Sequence, residues 1–150
     1  MPAFVTFGRV LFCVLFIVSG AGKLLDIPAT TAQVSAKVSI PAAVSDYAAQ
    51  VETATGMTTP QILAIAAGVT ELVCGIMIAL NFGAAFFAML LALAIVIFTF
   101  YFHDFWNMTG DMVRPNMVHA LKNLSLIGAL FIIAGLGGRR RAAQTVYTDV

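Results

Sequence analysis

Four long apolar runs dominate the chain, and each is close to the roughly 20 apolar residues that an α-helix needs to cross a bilayer. The runs cover residues 4–22, 61–80, 82–102 and 117–136. Polar segments 23–60 and 103–116 separate them, and residues 137–150 form a polar tail. The pattern predicts an all-α membrane protein, a bundle of four transmembrane helices that forms one domain over residues 1–150.

Composition supports this prediction and removes other classes. Hydrophobic residues make up 61% of the chain, charged residues 10%, and the mean hydropathy is +0.97, whereas soluble domains carry about 25% charged residues. With a net charge of +1, the chain lacks the excess of basic residues that is typical of nucleic-acid-binding proteins. We therefore expect the lipid bilayer as the first partner, and no nucleic acid.

The segment 23–60 is the one substantial region between spans. Its apolar residues recur at near-helical spacing, and Val44 and Tyr47 share one face. Pro41 divides the segment into two parts. We predict two short amphipathic helices that lie on the bilayer surface.

Arg139, Arg140 and Arg141 directly follow the last span, so the positive-inside rule predicts a cytoplasmic C-terminus in the inner membrane. An even number of spans returns the N-terminus to the same side, with segments 23–60 and 103–116 outside. A cleaved signal peptide ending near Ser19-Gly20-Ala21 is the alternative for the first run. The absence of a basic first turn and the three later runs favour an uncleaved helix.

Charged residues inside the spans carry the chemical information. A charge at the centre of a span costs about 2.5 to 3.5 kcal/mol on insertion scales, so Arg9, Glu71 and Lys122 should face one another or a polar cavity. From their depths along the helices we predict that Arg9 and Glu71 pair.

Other polar residues extend this set toward the outer side. Together they predict a chain that is either a ligand or proton site or a structural clamp: Arg9, Glu71, His103, His119, Lys122 and Asn123. Phe105 and Trp106 belong to an aromatic interface. The two histidines lack a third ligand at metal-binding spacing, so we predict no metal, and no catalytic residue can be assigned.

Small residues and cysteines fit helix packing. Gly68 and Gly75, like Gly128 and Gly135, are seven residues apart and predict close helix contacts. Cys13 and Cys74 lie at similar depth. They are either a thiol pair or two small buried hydrophobes.

Several of these segments resemble the DoxX family of small four-helix bacterial and archaeal membrane proteins, and the resemblance covers nearly the whole chain. The matching segments are Gly8-Arg9, Phe16 to Gly20 with Lys23, Glu71 with Gly75, Phe102 to Trp106, and His119 with Lys122-Asn123-Leu124 and Gly128. The resemblance implies four spans with both termini cytoplasmic. It also implies a link to sulfur-compound or thiol oxidoreduction and to quinone-linked complexes, as in some relatives.

Three functions are compatible with the sequence. We favour a non-catalytic or accessory subunit, or scaffold, of a membrane redox complex, with other subunits or further copies of the chain as partners. A quinone-linked thiol or sulfur oxidoreductase component and a small-solute or proton conduit are the alternatives. Because the chain has no CxxC pair and no cofactor motif, a redox role needs a partner subunit or a bound quinone.

Overall fold

The protein is described here by a computed structural model that covers the backbone of residues 3–148 and the side chains of residues 3–136. Its helices are α1 (Ala3–Leu25), α2 (Ile27–Lys37), α3 (Ser45–Thr55), α4 (Thr59–Ala79), α5 (Ala84–Phe102) and α6 (Val113–Thr148), joined in places by short 3₁₀ turns. Within the described chain, four helices are long and apolar enough to cross a bilayer. The predicted all-α membrane bundle is confirmed.

The first span ends at a sharp turn. The Asp26 carboxylate accepts a hydrogen bond from the Ala29 backbone N–H at 3.1 Å, and Pro28 occupies the first turn of α2. The Thr30 hydroxyl donates to the backbone carbonyls of Lys23 and Asp26. These contacts turn the chain back so that α2 packs against α4.

Segment 23–60 contains the two short helices that the sequence predicts, α2 before Pro41 and α3 after it. They differ in packing, because α2 buries Thr30 and Val34 whereas α3 buries no residue. Val44 and Tyr47 are exposed beside or on α3. The location of these helices on the bilayer surface stays a prediction.

Glycines bring α1 and α4 into close contact. A Cβ added at Gly20 would lie 2.5 Å from the Leu72 backbone nitrogen and 2.7 Å from the Gly68 carbonyl oxygen. One added at Gly75 would lie 3.0 Å from the Ile17 side chain. The predicted packing role of Gly68 and Gly75 is therefore confirmed.

The prediction is wrong for Gly128 and Gly135 within a single chain. An added Cβ at either position would meet no described atom within 4 Å. The reason is that α6 packs mainly against α5, which leaves this glycine face of the helix on the outside of the bundle.

A tight hairpin joins α4 to α5. The Phe82 N–H donates to the Met77 carbonyl and the Asn81 N–H to the Ile78 carbonyl, both at 3.0 Å, which is a Schellman termination of α4. Asn81 takes the left-handed conformation that this termination requires, with φ 60°. We call this end of the bundle the hairpin end, and the end that carries α2, α3 and the α5–α6 connection the loop end.

The apolar core lies between the two ends. Its buried residues come from four helices: Cys13, Phe16, Cys74, Ile78, Ala88, Leu91, Ala92, Ile95 and Leu130. The α1–α4 pair and the α5–α6 pair meet at this core. Helix α6 continues through the predicted tail to Thr148, so its 36 residues span about 54 Å at 1.5 Å per residue. The side chains of residues 137–150, and with them the arginines behind the orientation prediction, lie outside the described residues.

Candidate functional site

A groove at the loop end separates the two helix pairs. Its volume is about 770 Å³, within the roughly 300 to 1,000 Å³ typical of small-molecule sites. One wall comes from α1, α2 and α4, and the other from α5 and α6. We call this cavity the loop-end groove.

An ion pair lines the loop-end groove. Lys23 Nζ lies 2.7 Å from Glu71 Oε2 and also donates to Ser19 Oγ at 2.7 Å. The Glu71 side chain is 8% exposed and that of Lys23 is 29% exposed. The close approach of Gly20 to Gly68 positions the pair, since it brings α1 and α4 together one turn from each partner.

The predicted Arg9–Glu71 pair is wrong. Arg9 Nη1 instead donates to Asn81 Oδ1 at 2.7 Å, at the hairpin end. Asn81 is ten residues beyond Glu71, which corresponds to roughly 15 Å along a helix. The glycine contacts set the register of α1 against α4, and that register places Lys23 rather than Arg9 within reach of Glu71.

Lys23 is thus the candidate site residue that sequence reasoning missed, because the sequence pattern placed Lys23 in the outer segment 23–60. The sequence contains a pattern that could have identified Lys23 as the partner of Glu71. Gly20 and Gly68 each precede one of the two ionic partners by three residues, and small residues mark close helix contacts in membranes.

Asn123 and Lys122 take different places on α6. Asn123 lines the loop-end groove, and its Nδ2 donates to Thr99 Oγ1 at 2.9 Å, which links α6 to α5. Lys122 is exposed on the outer side of the helix. The expectation that Lys122 faces a polar cavity is therefore wrong for the single chain, because the face of α6 that packs on α5 is the one that carries Asn123.

The two histidines meet at the loop end. Their rings stack with centroids 4.9 Å apart and planes 15° apart. His103 Nδ1 lies 3.1 Å from Oδ1 of the buried Asn116, and His103 lines the loop-end groove, whereas His119 is exposed. The structure therefore brings His103 and Asn123 to the groove that holds Glu71, and leaves Arg9 and Lys122 outside it.

Two further contacts lie at the loop end, among residues that do not line the groove. Lys37 Nζ lies 3.9 Å from Asp104 Oδ1, which joins the end of α2 to the α5–α6 connection. Phe105 and Trp106 pack edge-to-face with ring centroids 5.2 Å apart. The predicted aromatic interface thus forms a cluster at the loop end.

The two cysteine thiols lie outside the loop-end groove. Cys13 and Cys74 are free and buried in the apolar core. Among the described side chains, no group of three or more His, Cys, Asp or Glu residues is placed to hold a metal ion. The titratable side chains that line the groove are Lys23, Glu71, Tyr101 and His103.

Four membrane-spanning helices around a buried ion pair define an integral membrane protein with a polar site inside its bundle. The DoxX family profile matches residues 4–104. The inner membrane protein YphA of Escherichia coli (strain K12) is 31% identical over 143 residues, which cover 91% of this chain and 84% of the relative. This chain belongs to the DoxX family. No solved structure matches it significantly.

The profile match includes both ionic partners and His103 but ends before α6. Lys122, Asn123 and Gly128, which form part of the resemblance in the sequence, lie beyond it. Family membership and the inner-membrane relative support a membrane location. The cytoplasmic orientation of the termini stays a prediction.

Proposed function

We propose that this protein is a membrane subunit of a redox assembly and that its loop-end groove binds the head of a quinone. The observation that carries the proposal is the Lys23–Glu71 pair, which lines a largely apolar cavity of about 770 Å³. Sites of this kind, apolar with a few convergent polar groups, are typical of small-molecule binding. A bound quinone would supply two-electron, two-proton chemistry.

The lining fits an amphipathic ring. Aromatic side chains contribute to the walls, namely Phe16, Phe98, Tyr101 and Phe102. A lysine ammonium has three N–H donors. Among the described groups Lys23 uses two of them, on Glu71 and Ser19, so one is left for a ring oxygen.

Charge balance favours a neutral ligand in this groove. Lys23 and Glu71 together carry no net charge, so a neutral ring can bind beside them without leaving an uncompensated buried charge. The carboxylate of Glu71 keeps the ammonium in place by a contact of 2.7 Å. The pair therefore acts as an oriented hydrogen-bond donor with its counter-charge attached.

Access is from the side of the bundle. Leu63 on α4 and Leu90, Leu93 and Ile97 on α5 line the groove and are also exposed. Because these side chains face the bilayer in a membrane-embedded bundle, the long tail of an isoprenoid quinone can extend between them into lipid.

The role as a subunit of a larger assembly has two parts, the source of the electrons and the exposed surface of α6. In this proposal the electrons for the quinone come from a partner subunit. Lys122 is exposed within a span, where a lipid-facing charge is costly. This surface favours assembly with another subunit or another copy.

The conduit hypothesis receives less support from the geometry. Between the Lys23–Glu71 pair and the Arg9–Asn81 contact lies the apolar core that includes Phe16, Ile78 and Leu130. A proton path would have to cross this layer, which favours binding over conduction.

The test is purification from native membranes in mild detergent, with mass spectrometry of bound quinones and of copurifying proteins. We expect Ala66→Phe, which fills the groove, and Lys23→Met, which removes its donor, to reduce bound quinone about tenfold, the equivalent of one charge-assisted hydrogen bond. Val69→Phe on the same helix and Lys122→Met are matched controls, since both residues are exposed and lie outside the groove lining.

Quinone retained equally by all four variants would contradict the binding site. A protein that is isolated as a lone monomer with no stoichiometric partner would contradict the subunit role. Each half of the proposal therefore has its own readout.

A further inference from the structure

The seam between α1 and α6 is the open side of the bundle. Helix α1 packs on α4 and α6 packs on α5, while α1 and α6 are not closely packed on each other. At the hairpin end a crevice of about 230 Å³ lies in this seam. Arg9 and Asn81 hydrogen-bond to each other at its edge, and the rest of the lining is apolar. We call this cavity the hairpin-end crevice.

One stripe of α6 runs along the seam and carries a charge. Its members are three or four residues apart and therefore share a face of the helix: Lys122, Ser125, Ala129, Ile132 and Leu136. The last three line the crevice, whereas Lys122 and Ser125 are exposed beyond it. The fourteen residues from Lys122 to Leu136 correspond to about 21 Å, a large part of the roughly 30 Å of hydrocarbon in a bilayer.

Lys122 has no counter-charge among the described residues. The salt bridges found in that part of the chain join other side chains. Its neighbours one turn away on α6 are Val118, His119, Ser125 and Leu126, none of which is acidic. Lys122 lies five residues, or about 7.5 Å, inside the last apolar run. An unpaired charge at this position is costly in lipid, so the stripe favours a partner that brings a carboxylate.

A second copy of the chain does not supply that carboxylate. Glu71 is the one acidic residue in the four apolar runs, and its side chain is 8% exposed and already paired with Lys23. Copies related by rotation about the membrane normal keep every residue at the same depth. The counter-charge within the hydrocarbon therefore has to come from a different chain.

We propose that the seam between α1 and α6 binds a transmembrane helix of a different subunit, which carries a glutamate or aspartate at the depth of Lys122. Lys122 donates a charge-assisted hydrogen bond to this carboxylate. The partner helix also covers the hairpin-end crevice, where Gly8 and Ala129 allow close approach. The inference rests on the subunit role proposed above and names the kind of partner; it does not depend on the quinone.

The length of the stripe favours a helix over a lipid head group. A phosphate at the membrane surface contacts Lys122 alone. A helix contacts Lys122 and also the crevice, whose lining residues on α6 begin seven residues farther along at Ala129. A Cβ added at Gly8, on the opposite wall, would meet no atom within 4 Å, so the seam has room for side chains of a neighbour.

The experiment uses a defined probe, a transmembrane peptide of about 23 leucine and alanine residues with one glutamate five residues inside one apolar end. A matched peptide carries glutamine at that position. The full-length protein is reconstituted with each peptide in phosphatidylcholine vesicles. Binding is measured by energy transfer from Trp106, the single tryptophan, to a dansyl group at the glutamate end of the peptide. We expect wild type to bind the glutamate peptide about five-fold more tightly.

Two variants and two controls locate the binding surface. Lys122→Met should remove the preference for glutamate, and Gly8→Leu should weaken the binding of both peptides because its side chain fills the crevice. Arg114→Met removes an exposed cation that precedes the last apolar run. Gly22→Leu adds the same side chain to α1 at an open position outside the crevice. Both controls should bind the peptides as wild type does.

Several outcomes would overturn the proposal. One is equal affinity of wild type for the two peptides, and another is a preference that survives Lys122→Met. Loss of the preference when phosphatidylglycerol is added would assign Lys122 to a lipid head group. A wild-type dimer that Gly8→Leu converts to a monomer would assign the seam to a second copy of the chain. Bound quinone and copurifying subunits are measured separately, so a failure of this inference is distinct from a failure of the proposed function.

Discussion

Helix α1 carries two cations that the bundle holds in different ways. Near the loop end, Lys23 contacts the carboxylate of Glu71 at 2.7 Å, inside a groove of about 770 Å³. Near the hairpin end, Arg9 contacts the amide of Asn81, also at 2.7 Å, beside a crevice of about 230 Å³. The distances are the same, but only one contact joins opposite charges.

The comparison indicates that the partner of a cation, and not the cation alone, determines how much stability is lost when its contact is broken. Removing one member of an ion pair leaves a charge without its counter-charge inside the bundle. The contact of Arg9 with the Asn81 amide is a hydrogen bond to a neutral acceptor. We therefore expect the two contacts of α1 to differ in their contribution to stability.

The largest loss of stability should come from a substitution that separates α1 from α4. Gly20→Val would place side-chain atoms against the backbone of Leu72 and Gly68, an overpacking that we expect to destabilise the protein by about 3 kcal/mol. Thermal unfolding in detergent measures the loss. Gly22→Val is the control, since its position is open, and equal destabilisation by both variants would contradict the close contact.

A smaller effect comes from removing one member of the ion pair. Glu71→Ala leaves Lys23 without its counter-charge, and because Lys23 is 29% exposed we expect about 2 kcal/mol rather than the 3 to 5 kcal/mol of a fully buried pair. The double variant Lys23→Met with Glu71→Leu should recover most of the stability. A double-mutant cycle by chemical or thermal unfolding checks this, and additive single effects would show that the pair is not coupled.

Removing the partner of Arg9 at the hairpin end should lower the stability of the protein less. Asn81→Gly removes the amide but keeps a residue that accepts the left-handed backbone at φ 60°, so only the hydrogen bond to Arg9 is lost. Membrane hydrogen bonds are worth about 0.6 kcal/mol on average. A loss of stability as large as that of Glu71→Ala would contradict the distinction between the two sites.

The smallest effect concerns a half-buried carboxylate outside the spans, Glu52 on α3. The side chain and backbone N–H of Thr59 at the start of α4 lower the pKa of Glu52 below its ordinary value of 4.5. A lowered pKa in the folded state means that the stabilisation is present above pH 4.5 and is lost as the pH falls through the lowered value. Glu52→Gln should therefore melt slightly below wild type at pH 7, and the two melting temperatures should converge at a pH below the lowered pKa of Glu52.

A constant difference between these two proteins at both pH values would contradict this assignment. Asp46→Asn is the matched control because Asp46 is exposed on the same helix. The Glu52–Thr59 contact, which lies outside the spans, is the baseline against which the Lys23–Glu71 pair is compared.

The sequence predicts the helices well because length and hydropathy are local properties. The four spans and the division of segment 23–60 near Pro41 follow from runs of residues that the chain itself displays. Glu71 is also identified as a buried charge, since an isolated acid within an apolar run is costly in lipid.

The partners of the charges could not be predicted from depth alone. Helix register depends on which small residues touch, and Gly20 against Gly68 shifts Lys23 toward Glu71. The rotation of α6 about its own axis is a second quantity that the sequence does not give. It decides that Asn123 faces α5 while its neighbour Lys122 faces outward. Both quantities come from side-chain packing between distant segments.

The ion pair also sets an order of events during synthesis. Lys23 and Glu71 are 48 residues apart in the chain, so at about 5 to 20 residues per second the ribosome makes Glu71 roughly 2 to 10 s after Lys23. During that interval α1 has no carboxylate from α4 to neutralise its lysine. The pairing of these two helices is therefore completed only once α4 has been made, which makes it a step of biogenesis as well as of the finished bundle.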